Sequence, residues 1–127
     1  MNMISYAMVG STNLPASGDF FDKVLGVVGA ERMMKRDTAI MWGAGEGKPF
    51  FAACLPHDGN VATHGNGTMI SFGCETTDQV DAMYAAAQAS GGSCEGKPGP
   101  RGEDEQYYVG YFRDPDGNKF AAFHMAG

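Results

Sequence analysis

The chain repeats itself, and this repetition constrains its fold more than any other feature of the sequence. The segments that begin at positions 3 and 69, 66 residues apart, read Met-Ile-Ser-Tyr-Ala-Met and Met-Ile-Ser-Phe-Gly-Cys. Each precedes a stretch with apolar residues at helical spacing, and each stretch is followed by three shorter runs typical of strands. The last runs also correspond, as Phe50–Cys54 and Phe120–His124. We therefore expect two copies of a β-α-β-β-β unit.

The repeat also predicts how the chain is divided. Module one covers about 1–56, a Gly- and Asn-rich linker covers 57–67, and module two covers about 68–127. Each module alone has too little core to be stable, so we expect the two to share one core in a single α+β domain. The runs predicted as strands after each helix are 31–36, 38–42 and 49–54 in module one, and 93–95, 106–113 and 119–124 in module two.

Composition excludes several classes of protein. A net charge of −6 disfavours nucleic acid and anionic membranes as partners, because both select basic surfaces. No segment approaches the roughly 20 apolar residues that span a bilayer, and the N-terminus does not resemble a secretion signal. Three cysteines without Cys-x-x-Cys spacing are typical of reduced thiols, so we expect a cytoplasmic location.

The C-terminal stretch 106–124 predicts a β-hairpin. Aromatic and β-branched residues flank the turn Asp114-Pro-Asp-Gly-Asn118, in which Pro115 presets one φ angle and Gly117 supplies a positive one. This hairpin resembles, nearly letter for letter, the closing hairpin of the vicinal oxygen chelate superfamily, which includes glyoxalase I, bleomycin resistance proteins and extradiol dioxygenases. Paired βαβββ modules are the architecture of that superfamily, and the resemblance covers essentially the whole chain.

The resemblance implies where metal ligands would stand. Metal-dependent members take His or Gln, His, and Glu from the first and last strands of each module to bind Fe, Mn, Ni or Zn. Those positions fall here on Met3, Met69 and Ala121, and the run Phe50–Cys54 offers no carboxylate, imidazole or amide. Hard divalent ions prefer oxygen or nitrogen donors, and two methionines without a third partner make a poor site. We expect no metal cofactor.

Strand alternation extends this prediction to neighbouring residues. If positions 3, 69 and 121 face a cleft, the residues two positions away share that face. The residues placed in the cleft on this basis are Ser5, Ala7, Ser71, Gly73 and Phe123. All of them are small or apolar.

Three histidines and one carboxylate leave a metal-dependent alternative open. By parity His124 faces the helix layer. His57 and His64 flank the linker, which places them in solvent unless the linker folds over the cleft and presents an imidazole as base or ligand. Glu75 follows the predicted fifth strand, either as an acid at a helix N-terminus or as a catalytic carboxylate.

Aromatic side chains are the other candidates for a binding site. Trp42 and Tyr108, with Phe123, are candidates for the walls of a pocket for a flat or apolar ligand, although alternation sends about half of such residues to the helix layer. Arg101 lies in the Gly/Pro-rich segment 96–104, which we expect to be a loop whose arginine either clamps an anion or is solvated.

Two function classes therefore compete. The first is a metal-free small-molecule-binding protein resembling bleomycin-resistance binders, homodimeric and favouring cationic ligands because of its acidic charge. The second is a glyoxalase-like lyase or dioxygenase whose Ni, Fe, Mn or Zn is held by His57, His64 or Glu75. A domain whose cleft serves a partner protein is a third option. The ligand positions favour the first.

Overall fold

Two four-stranded sheets and two helices form the computed structural model, which describes residues 2–125. The elements of the first module are β1 (Tyr6–Gly10), α1 (Leu14–Gly26), β2 (Glu31–Lys35), β3 (Ala39–Gly43) and β4 (Phe50–Cys54). Those of the second are β5 (Ile70–Gly73), α2 (Thr77–Ala89), β6 (Ser93–Arg101), β7 (Tyr107–Arg113) and β8 (Lys119–Met125). Neither helix in this part of the chain is long and apolar enough to span a bilayer.

The two sheets have the same topology. Sheet 1 has the strand order β1-β4-β3-β2, and sheet 2 has the order β5-β8-β7-β6. In each sheet the first strand of the module pairs in parallel with its last strand, and the other pairings are antiparallel. The expected tandem βαβββ architecture is confirmed.

Equivalent caps begin the two helices and fix the true period of the repeat. The side chain of Asn13 accepts a hydrogen bond from the Ala16 backbone N–H at 3.1 Å, and that of Thr76 accepts one from Gln79 at 3.1 Å. Both satisfy N–H groups that the first helical turn leaves unpaired. The two caps lie 63 residues apart, at 13 and 76, so the first strands and helices repeat at 63 rather than 66.

One hydrophobic core joins the modules, as expected. The ring of Phe21 on α1 lies 4.8 Å from that of Phe51 in sheet 1 and 5.5 Å from that of Phe120 in sheet 2. All three side chains are buried in a single cluster that also includes residues of α2. Because both helices pack into this core, each sheet has one face covered by helices and an opposite face, called here the outer face.

The hairpin turn Asp114–Asn118, called here the closing turn, ties module two to module one. The Asp116 carboxylate accepts hydrogen bonds from the Thr12 backbone N–H at 2.9 Å and from the Thr12 and Ser17 hydroxyls. The buried Asn118 side chain donates to the Gly10 carbonyl at 3.0 Å and to the Asp114 carboxylate at 2.9 Å. Gly117 has the expected positive φ of 88°. The sequence motif is therefore also a fastener between modules.

Two expectations about the elements are wrong. The segment 96–104 is not wholly a loop, because β6 continues to Arg101 through two register shifts opposite β7. The first strand begins at Tyr6 rather than at position 3, because its ladder with β4 begins at the pair Tyr6 and Phe50. Glycines and prolines hid the strand in the first case, and a three-residue error in the repeat period displaced it in the second.

Candidate functional site

The outer face of sheet 1 is apolar and largely open. The ladder Tyr6–Phe50 and Met8–Ala52 assigns alternate residues of β1 and β4 to this face, while Phe51 and Ala53 enter the core. Tyr6 is 51% exposed and stacks on Phe50 with ring centroids 4.7 Å apart. Met8 is 54% exposed. Such exposed apolar groups on one face indicate a surface that binds something.

Methionines dominate this face. Met8 on β1 pairs with Ala52 on β4, Ala52 pairs with Met41 on β3, and Met41 pairs with Met34 on β2. We call Met8, Met41 and Met34 the sulphur row. Ala52 is fully buried although it points away from the helices, so neighbouring side chains on the outer face must cover it. Methionine is flexible and polarisable, and such surfaces accommodate ligands of varied shape.

The linker, which occupies residues 55–69 between β4 and β5, adds a wall to this face. A cavity of about 690 Å³ lies between the linker segment 55–62 and the ends of the strands. Its strand-side lining includes Met8, Ala39 and Cys54. The linker approaches closely, because a Cβ placed on Gly10 would lie 2.9 Å from the Ala62 Cβ. This volume is in the range of small-molecule sites.

The two linker histidines both reach cavities that adjoin Met8. His57 lines the 690 Å³ cavity, and His64 lines a second cavity of about 240 Å³ together with Asn118 and Lys119. Burial raises the pKa of the Cys54 thiol beside the first cavity, so this thiol is neutral at physiological pH. The linker therefore folds along the sheet rather than standing free in solvent.

Glu75 lies apart from these cavities. It precedes the Thr76 cap, and its backbone N–H donates to the Gln79 side chain at 2.7 Å. With Gln79 it lines a depression of about 410 Å³ that faces the end of α1. The structure therefore brings His57 and His64 toward Met8 but does not bring Glu75 to them.

Two aromatic candidates are on the wrong face for a cleft. Trp42 is 1% exposed and donates its indole N–H to Asp22 on α1 at 2.9 Å. The Tyr108 hydroxyl donates to Asp81 on α2 at 2.7 Å, which raises the pKa of the phenol. Both side chains are anchored to helices, so neither lines an outer face. His124 also faces the helix layer, as expected, with Nδ1 3.1 Å from the Cys74 carbonyl oxygen.

The outer face of sheet 2 has a different character. Phe123 lies there, and its ring is 5.3 Å from that of Tyr107. Lys119 places its ammonium 5.4 Å from the centroid of the Tyr111 ring. Arg113 forms an ion pair with Glu95. Arg101 donates to backbone carbonyls near its own strand end, at Pro100 and Lys97, instead of reaching into a pocket.

Comparison with known proteins agrees with this architecture. The family model described as "Glyoxalase/Bleomycin resistance protein/Dioxygenase superfamily" matches residues 3–122. The chain belongs to that superfamily. A glyoxalase/bleomycin resistance protein from Albidiferax ferrireducens T118 is 36% identical over 98% of this chain and 100% of its own, with a TM-score of 0.90.

More distant structures share the fold. A glyoxalase/bleomycin resistance protein/dioxygenase family enzyme from Burkholderia phytofirmans PsJN is 18% identical, with a TM-score of 0.74 over 96% of this chain and 98% of its own. A glyoxalase-related enzyme from Fulvimarina pelagi is 17% identical, with a TM-score of 0.75 over 98% of this chain and 88% of its own. No curated protein matches the sequence significantly.

The superfamily's metal positions can now be assigned from the structure. Since the first strands repeat at 63 residues, the counterpart of Met69 is Tyr6, and Met3 lies ahead of the strand with 97% exposure. Ser5 likewise precedes β1, and Ala7 packs on the core. The counterpart of Ala121 is Ala52, because each follows the core phenylalanine of its strand. This assignment changes the residues but not their chemistry.

The residues present do not fit a hard divalent cofactor. The four positions hold a phenol, a thioether and two methyl groups, and Ala52 and Ala121 are at most 1% exposed. Ser71, which pairs with Ala121 on the outer face, adds one hydroxyl. Within residues 2–125, three or more His, Cys, Asp or Glu side chains never cluster as a metal site would require.

Sequence reasoning missed the main residues of the face, namely Tyr6, Met8, Met41, Met34 and Cys54. Two signals could have revealed them. The cap residues Asn13 and Thr76 give the 63-residue period, which puts Tyr6 rather than Met3 opposite Met69. The alternation Ala-Ile-Met-Trp-Gly of β3 sends Trp42 and Met41 to opposite faces.

Proposed function

We propose that this superfamily member binds a small apolar or aromatic molecule, without a divalent metal, on the outer face of sheet 1. The observation that supports this proposal is the 690 Å³ cavity between the linker and the strand ends. Its walls include Met8, Leu55 and Val61, and His57 supplies the main hydrogen-bonding side chain at its edge. Largely apolar walls with few polar groups are typical of small-molecule sites.

The proposal extends to the absence of a metal cofactor. A Lewis-acid mechanism needs an ion held by nitrogen or oxygen ligands with open positions for substrate. The positions that would hold such an ion carry Tyr6, Met69, Ala52 and Ala121 in this chain. A binding role needs only shape and apolar contact, which the face offers.

We also propose that the protein is a cytoplasmic homodimer that binds neither nucleic acid nor membranes. Exposed apolar side chains on both outer faces support pairing with a second copy, because monomers rarely leave such surfaces uncovered. In this arrangement the methionine-rich face of one protomer meets the tyrosine-rich face of its partner, and sulphur–aromatic contacts favour that combination. Free thiols and the net charge of −6 support the remaining points.

One observation favours a second candidate function, a metal-dependent lyase or dioxygenase. The linker brings His57 and His64 to two cavities that share Met8. An imidazole presented there is suited to act as a base or a ligand. Substituting both histidines with alanine separates the functions, because a metal-dependent activity would then be lost while apolar binding would persist.

Thermal-shift screening of planar aromatic compounds, in cationic, neutral and anionic sets, tests the binding proposal. A ligand at 100 times its dissociation constant stabilises the folded state by about 2.7 kcal/mol, which raises Tm by several degrees. The variant Leu55→Gln places a polar group in the cavity wall and should abolish the shift. Met125→Gln is the matched control, since Met125 is also exposed but lies on sheet 2. A shift unaffected by Leu55→Gln, or no shift across the screen, would overturn the proposal.

A further inference from the structure

The sulphur row has the geometry of a site for a soft cation. Met34 and Met41 are direct cross-strand partners, so their Cβ atoms are about 5 Å apart. Met8 lies two strands from Met41, roughly 10 Å between backbones, with only Ala52 between them. Methionine has three rotatable bonds, and nothing larger than a methyl group separates the two thioethers. Three sulphur atoms can therefore converge above Ala52.

The burial of Ala52 indicates that the side chains already lean inward. Ala52 is 0% exposed on a face that carries no helix, whereas Met8 and Met34 are 54% and 43% exposed. The flanking methionines cover the alanine and still present their ends to solvent. An entering ion would meet thioethers that are accessible and already gathered.

We propose that Met8, Met41 and Met34 bind a soft monovalent cation, Cu(I) or its redox-inert analogue Ag(I). Thioethers select such ions over hard divalent ones because soft donors match soft, polarisable acceptors. The two-methionine objection from the sequence does not apply, because the structure supplies a third thioether from a different set of residues. The net charge of −6 also favours a cation.

Neighbouring groups refine the site. Cys54 lies on the same face in the next row, opposite Gly10 and Ala39, so its thiol is available as a further soft donor. Met33 packs over Gly43, where a Cβ would meet its sulphur at 2.3 Å. The Arg36 Nε–H donates to the Met34 sulphur at 3.2 Å. This exposed arginine must turn away when a cation binds, so Arg36→Gln should tighten binding.

This inference is independent of the proposed function. An organic ligand would occupy the cavity beside the linker, whereas the cation would sit over Ala52 in the middle of the strands. Failure of the aromatic screen would leave the cation site untouched, and failure of cation binding would leave the cavity available.

The test is an Ag(I) titration against a competing chelator, followed by NMR of protein labelled at the methionine methyl groups. Cys54→Ser/Cys94→Ser serves as the background, so that these thiols do not supply the signal. We expect one Ag(I) per chain and shifts confined to three of the nine methionine signals. The variant Met8→Leu/Met34→Leu/Met41→Leu preserves side-chain volume and removes the sulphurs, and it should weaken binding at least 100-fold.

The matched control is Met3→Leu/Met69→Leu/Met125→Leu, which removes three exposed methionines elsewhere. It should bind Ag(I) as the background protein does. Equal losses in the two triple variants, shifts spread over all exposed methionines, or no binding in competition with the chelator would each overturn the proposal. Circular dichroism of both triple variants establishes that they fold.

Discussion

The two modules follow the same backbone path but carry different chemistry on their outer faces. Ala52 and Ala121 occupy equivalent, buried positions, yet the strands beside Ala52 carry Met8 and Met41, while those beside Ala121 carry Ser71 and Tyr111. Caps, topology and shared core are duplicated, whereas side chains that point away from the core have diverged. The core thus specifies the fold, and the outer faces are free to specialise.

The hairpin turns of the two modules differ in the same way. The closing turn of module two buries Asp114 and Asn118 and forms hydrogen bonds to module one. The corresponding turn of module one, residues 44–49, is exposed, and its glycines permit positive φ angles at Gly45 and Gly47. One turn fastens the modules together, and the other only reverses the chain.

The largest expected effect comes from restoring the superfamily's ligand types at the equivalent positions. We expect Tyr6→His/Ala52→Glu/Met69→His/Ala121→Glu to change divalent-metal retention from none to near-stoichiometric Ni(II) or Zn(II), because imidazole and carboxylate suit these ions. Metal content after dialysis measures it. The control replaces both glutamates by glutamine, which keeps size but removes charge. A folded variant that retains no metal would contradict the pairing of outer faces across a dimer.

The closing turn provides the next largest effect. Asp116→Ala removes the acceptor of the Thr12 and Ser17 hydrogen bonds, and it should lower the free energy of unfolding by about 2 kcal/mol. Glu46→Ala in the exposed turn of module one is the control and should change it by less than about 0.5 kcal/mol. Urea denaturation measures both. Equal effects would show that the closing turn does not fasten the modules.

Asp22 provides a smaller, pH-dependent effect in module one. Asp22→Ala leaves the buried Trp42 N–H without its acceptor and should cost about 1–2 kcal/mol at pH 7. Hydrogen bonding from Arg32 holds the pKa of Asp22 below its usual value. That contribution is complete above the unfolded-state pKa and is lost as pH falls through the lowered folded-state value. The variant should therefore differ less from wild type near pH 2 than at pH 7, as thermal unfolding across pH would show.

The smallest effect is expected at the corresponding helix-to-sheet bond of module two. Tyr108→Phe removes the hydrogen bond to Asp81, which is exposed to solvent, so about 0.5 kcal/mol should be lost. The same denaturation experiment measures it. A loss as large as that of Asp22→Ala would show that exposure does not weaken this bond.

Much of the fold was predictable because local signals agreed with the global arrangement. The turn Asp114–Asn118 and the Thr76 cap are short-range features, and the structure confirms both. Strand β6 was not predictable from propensity, because Gly96, Pro98 and Gly99 normally end strands and here occupy register shifts. Tertiary pairing with β7 overrides the local preference.

The site was harder to predict than the fold. Reversing the face of a strand needs only an odd error in register, and the 66-residue period exchanged the faces of β1, so Ala7 was placed in the cleft instead of Met8. Trp42 and Tyr108 were candidates because aromatic rings suit both pockets and cores. Only their hydrogen bonds to Asp22 and Asp81 show which they serve. The path of the linker over sheet 1 has no signal in its Gly- and Asn-rich sequence.

The most direct test of the account is the divalent-metal content of untagged protein purified without chelators, measured before and after incubation with Ni(II), Fe(II), Mn(II) and Zn(II) and subsequent dialysis. A tag must be removed because its histidines would bind the same ions. The account predicts far less than one ion per chain in every case. Near-stoichiometric metal that resists dialysis, and that His57→Ala/His64→Ala removes, would contradict it and establish the metal-dependent alternative.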